Sequence, residues 1–113
     1  MDKIIIRKKP LFELKVENDF LIINNTNYKR DNMIIKISDI DNLEIIRHLS
    51  PLNKVIEVMF GFFSTSKSND LRIKMSNGFK DIVLTNCEME KVEIAVYSIN
   101  QIILSNINQR HLS

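Results

Sequence analysis

The chain has 113 residues and a formal net charge of +2, with 44% hydrophobic and 27% charged residues. That is the composition of one ordinary globular domain. It excludes a Gly/Pro-rich disordered chain, because only 2 Gly and 2 Pro are present. It also excludes a disulfide scaffold, because Cys87 stands alone, and a strongly basic protein with a broad nucleic-acid footprint.

Residues 1–10 read as an N-terminal arm or the lead-in to a first strand. Their apolar run, Ile4-Ile5-Ile6, is closed by Arg7-Lys8-Lys9 and is too short for a secretory core of about 7–15 residues. No later run approaches the roughly 20 residues of a membrane helix, so the expected setting is cytoplasmic, where a lone thiol stays reduced. From residue 11 the pattern has period 2. Phe12, Leu14 and Val16 alternate with charges, Asn18-Asp19 reads as a turn, and Phe20 to Ile23 returns as the second strand of a hairpin. A polar loop runs from Asn24 to Asn32. Met33, Ile35 and Ile37 alternate next, and Ile40 to Ile46 is a strand with a kink expected at Asp41-Asn42.

Pro51 stops any ladder, and Lys54 to Phe63 reads as a further strand. After the polar loop Ser64 to Asn69, Leu71, Ile73 and Met75 alternate. Asn77-Gly78 signals a type I′ hairpin turn, from which Phe79 to Leu84 returns. Then the period changes. Met89, Val92, Ala95, Val96, Ile99, Ile102, Ile103 and Ile107 fall at spacings of 3 and 4, which predicts an amphipathic helix of about five turns. Thr85 and Glu88 are spaced as a capping box at its start. The tail over 108–113 is expected to fray.

Seven strands followed by one long amphipathic helix resemble the pleckstrin-homology (PH) superfold in its small bacterial form, over residues 11–107. The features that carry the resemblance are the hairpin Phe12–Ile23, the segment Ile35 to Ile45, the hairpin across Asn77-Gly78, and the helix. It implies an α+β fold: a bent antiparallel seven-stranded barrel or sandwich whose open end is capped by the helix. It does not imply phosphoinositide binding. Lipid-binding members carry Lys/Arg around the first hairpin turn, whereas here that turn is the acidic Glu17-Asn18-Asp19. The superfold hosts many functions, so none is carried over.

The residues offer little chemistry. His48 and His111 have no partners at metal-ligand spacing, and no cofactor or metal is expected. Cys87 near the helix start has no histidine beside it in sequence. Ser64-Thr65-Ser66-Lys67 matches a Ser-x-x-Lys nucleophile by letter alone, and a solvated loop is its ordinary role. Asp39 and Asp41 are spaced to share a strand face, although turns and bulges are where such residues usually serve. A small enzyme is therefore the least favoured of three functions.

The leading expectation is a non-catalytic module for protein–protein contact or self-association. Val55 to Phe63 is apolar on both faces, so something should cover the outer one: the Ile4–Ile6 arm, the helix, or a partner anchored on Phe60, Phe62 and Phe63. Ile94 and Tyr97, off the helix's core stripe, are further candidate contacts. The alternative is peripheral binding to an anionic membrane through Arg7, Lys8, Lys9, Lys29 and Arg30, should they meet in space. Lysines on a strand edge also serve simply to prevent aggregation. Aromatic residues beside the basic clusters are few, so no nucleic-acid partner is expected.

Overall fold

Asn18 and Asp19 adopt φ of 52° and 68°. These are the left-handed corners that a type I′ turn needs, and both side chains tolerate them. Strands β2 (Phe12–Glu17) and β3 (Phe20–Asn25) therefore pair tightly, with Glu17 opposite Phe20. In the computed structural model, which describes residues 2–47 and 69–112, this hairpin is the centre of a four-stranded antiparallel sheet. Its neighbours are β1 (Ile4–Arg7) and β4 (Met33–Lys36), in the order β1-β2-β3-β4. A second antiparallel sheet holds β5 (Ile40–Ile46), β6 (Asp70–Met75) and β7 (Gly78–Val83) in that order. One helix, α1 (Met89–Leu112), packs against both sheets. The fold is thus α+β, with seven antiparallel strands among the described residues.

The inward residues of each strand supply one core. Phe12, Leu14, Leu21 and Ile23 from the first sheet meet Leu43, Leu71, Ile73 and Ile82 from the second. Helix α1 closes it with Val92, Ala95, Ile99 and Ile103, all fully or almost fully buried. Each such aliphatic side chain stabilises the fold by about 1.5–3 kcal/mol relative to an exposed one. Two details follow the pattern read from the residues. Asp39 ends a short 3-10 turn, and the register of β5 slips between Ile40 and Asn42, beside Asp41.

Four local expectations are corrected. Ile4–Arg7 is a full strand paired with β2, with a register shift between Ile5 and Arg7, and so is neither an arm nor a loose cover. The late hairpin turns at Ser76 and Asn77, one residue earlier than expected. Both keep negative φ, and Gly78, opposite Met75, carries the positive φ of 146°. Thr85 does not cap the helix, which starts at Met89. Its carbonyl is occupied elsewhere, while Glu88 accepts from the Lys91 and Val92 amides. Finally, α1 does not fray after Ile107 but runs to Leu112, since no Gly or Pro interrupts it. Ile107, assigned by spacing to the core stripe, is 38% exposed because the helix has outrun the packed core, which ends at Ile103. The expected strand Lys54 to Phe63 lies outside the described residues.

Candidate functional site

The site is best built from Arg7 outward. The slip in β1 turns both Ile6 and Arg7 inward, which places the guanidinium in the core with 6% exposure. A buried charge needs partners for its donors. Arg7 Nε donates to Pro10 O at 2.8 Å, Nη1 to Thr85 O at 2.6 Å, and Nη2 to Asn25 Oδ1 at 3.0 Å. The guanidinium also lies over the Phe12 ring, 5.7 Å from its centroid. One side chain thus ties together β1, the β1–β2 turn, the end of β3 and the turn that precedes α1. Cys87 Sγ lies 3.8 Å from Nη1, and burial pushes the thiol pKa up despite the nearby positive charge.

This tie draws the start of α1 against β1. The Glu88 amide donates to Ile6 O at 3.2 Å, and the helix then packs beside the strand. Between them is a groove of about 520 Å³, walled by residues 3–8 on one side and by Glu88, Lys91 and Ile94 on the other. Its charged lining is Lys3, Lys8, Lys91 and Glu88, since Arg7 is engaged internally. Lys3 Nζ sits 3.8 Å from Glu13 Oε2, on the outer face of the sheet.

The groove runs into the outer face of α1. Ile94 is 48% exposed, Tyr97 67% and Leu104 53%, with the exposed Gln101 between the last two. Their spacing makes a second, interrupted apolar stripe, turned away from the core. A smaller apolar area covers β3 and β4, where Ile22 lies directly opposite Ile34 on the outer face.

Of the residues singled out from sequence, Ile94 and Tyr97 fall on this exposed stripe. Phe60, Phe62, Phe63 and His48 lie outside the described residues. Arg7 is not part of a basic surface, for the reasons above. Lys8 and Lys9 occupy the turn after β1, and Lys29 and Arg30 lie in the 3-10 turn before β4. These two turns share one end of the sheet, where Thr26 donates to Leu11 O through its amide at 2.8 Å and its hydroxyl at 2.9 Å. Arg30 stacks on Tyr28 at 5.8 Å. Beside it, Lys80 Nζ stands 3.5 Å from Asp31, which is 4% exposed.

Sequence reasoning missed Asn100. It accepts from the Leu43 amide at 2.8 Å and donates to the Leu43 carbonyl at 2.9 Å, binding the edge of β5 to the helix. The available signal was a polar residue inside the apolar side of α1, between Ile99 and Ile103. The outer face of the second sheet was likewise not foreseen as a charge lattice. Arg72 makes two hydrogen bonds to the Asp81 carboxylate, at 2.9 and 3.0 Å, and lies 4.1 Å from the Phe79 ring centroid. Lys74 pairs with Glu44 at 3.2 Å.

Among the described residues no group of three His, Cys, Asp or Glu side chains is placed to hold a metal ion. No helix among them is long and apolar enough to cross a membrane. Comparison with protein-family models, curated proteins and solved structures finds no match to this chain.

Proposed function

We propose that this chain is a non-catalytic, PH-like binding module that works by protein–protein contact, with self-association as its simplest form. The observation that supports it is the second apolar stripe of α1. A helix that buries one face and still exposes Ile94, Tyr97 and Leu104 on the other presents large apolar side chains to solvent, and such groups mark contact surfaces. The aromatic run at Phe60, Phe62 and Phe63, expected from sequence to anchor a partner, belongs to the same proposal. The setting proposed for it is the cytoplasm.

Size-exclusion chromatography with light scattering tests self-association. The wild type is expected to run above the mass of one chain, and Tyr97→Asp/Leu104→Asp to run as a folded monomer. A wild type that stays monomeric at millimolar concentration overturns self-association. Phe62→Asp, run beside them, reports whether the Phe60–Phe63 segment contributes.

One observation favours a second reading, peripheral binding to anionic lipid. Lys8 and Lys9 share an end of the sheet with Lys29 and Arg30. Four basic side chains near an anionic surface contribute about 1 kcal/mol each. Liposome flotation decides it: binding that does not rise with phosphatidylserine content removes this reading.

A further inference from the structure

The outer edge of β1, unpaired beyond Ile6 O among the described residues, carries a more specific message than the apolar stripe. Glu17 and Phe20 flank a two-residue loop, so they form a hydrogen-bonded pair. Alternation along β2 then turns the main-chain groups of Glu13 toward β3 and those of Leu14 toward β1. Ile4, opposite Leu14, is therefore bonded into the sheet. Ile5, opposite Glu13, turns its amide and carbonyl outward into the groove. The register slip leaves the Ile6 carbonyl on that same outer edge, where the Glu88 amide takes it. Among the described residues nothing else pairs with this edge, and the groove of about 520 Å³ lies directly beside it. An unpaired strand edge with adjoining space is a template for one more strand.

The lining charges select the occupant. Lys8 and Lys91 favour carboxylates, Lys3 being shared with Glu13, and Ile94 across the groove offers an apolar wall to alternate side chains. We infer that the β1–α1 groove binds an extended segment of another protein, alternating apolar and acidic residues, as an added strand on β1. This rests on the protein-contact reading and names the partner chemistry. It uses the groove, whereas self-association uses the outer stripe of α1, so the two fail separately.

The probe is a display library of random ten-residue peptides, selected on the intact chain, with the most enriched peptide then titrated by fluorescence anisotropy. The expected selection is for Asp or Glu alternating with apolar residues. Ile5→Pro should weaken binding at least tenfold while the fold survives, because the lost amide serves no strand among the described residues and proline is tolerated at such an edge. Lys3→Glu/Lys8→Glu/Lys91→Glu should abolish binding and shift the selection to basic peptides. If Ile5→Pro fails to fold, amide shifts of the wild type take its place, with Ile5 expected to move most. Tyr97→Asp/Leu104→Asp should bind the peptide unchanged. Selection without acidic bias, binding that survives both groove variants, or no selected peptide at all overturns the inference. So do shifts centred on Tyr97 and Leu104, although they leave the protein-contact reading standing. Capture of phosphatidylserine vesicles in place of any peptide, lost in the triple variant, would assign these lysines to a membrane and overturn it as well.

Discussion

Helix α1 lies between two strand edges and treats them differently. At β5 it closes the edge: Asn100 satisfies both main-chain groups of Leu43, donor and acceptor, in one planar amide. At β1 it closes only one carbonyl, through the Glu88 amide, and packs beside the strand with no further main-chain bond among the described residues. The first contact is made by a side chain deep on the helix's packed face, the second by the main chain at its first turn. A sheet edge next to a helix is thus sealed only where a side chain of the right reach and valence is provided. The chain provides one at β5 and lysines at β1.

Breaking the two anchors of α1 should give the largest effects. Arg7→Met keeps the aliphatic stem but takes the guanidinium donor from Pro10 O, Thr85 O and Asn25 Oδ1, leaving Thr85 O with the Cys87 thiol and Asn25 Oδ1 with the Asn27 amide. A loss of about 3 kcal/mol is expected. For a domain of this size that lowers Tm by more than about 10 °C, read by calorimetry. Asn100→Leu has similar volume and unpairs both groups of Leu43, for about 2–3 kcal/mol in urea melts. Its amide-to-β5 contact should be recovered only in part by Asn100→Asp, which keeps the acceptor and loses the donor. If Asn100→Leu is neutral, the β5 edge is not held as described.

Away from the anchors the effects shrink. Gly78→Ala should cost about 1–2 kcal/mol from backbone conformation alone, because a Cβ there would meet nothing within 4 Å. The Cys87 thiol, raised by burial, favours its protonated form in the folded state. Its contribution is therefore complete below the unfolded thiol pKa and is lost as pH rises through the folded one. Melting at neutral and alkaline pH, wild type beside Cys87→Ala, should show an extra alkaline loss only in the wild type. The smallest change is expected at the open flank. Tyr97→Asp, on a 67% exposed residue, should leave stability within about 0.5 kcal/mol. A large loss there would mean that the stripe is packed against the chain itself.

The sequence carried the architecture because hairpins and helices write themselves locally. Asn18-Asp19 named its turn, the alternation of Leu71, Ile73 and Met75 named a strand, and the 3-and-4 spacing from Met89 named the helix. It misled where the deciding partner was distant. Arg7-Lys8-Lys9 reads as one basic run, yet a register slip in β1 turns the first of the three into the core. Thr85 and Glu88 have the spacing of a capping box, but the Arg7 guanidinium claims the Thr85 carbonyl and the helix starts later. Ile107 continues the apolar period into a region where no sheet remains to bury it. The groove was invisible for the same reason. It is made where β1 and the start of α1 lie side by side, a geometry that no run of residues encodes. Ile94 and Tyr97 stood out because one helical period sufficed to place them off the core side.

The bond from Arg7 to Thr85 joins residues 78 positions apart. During synthesis, at roughly 5–20 residues per second, the first strand leaves the ribosome well before its arginine has the carbonyl that will hold it. Until the turn before α1 arrives, Arg7 is hydrated and β1 has no reason to keep its slipped register. Helix α1 therefore settles the geometry of β1, and the groove beside them comes into being only after the turn before α1 has been made.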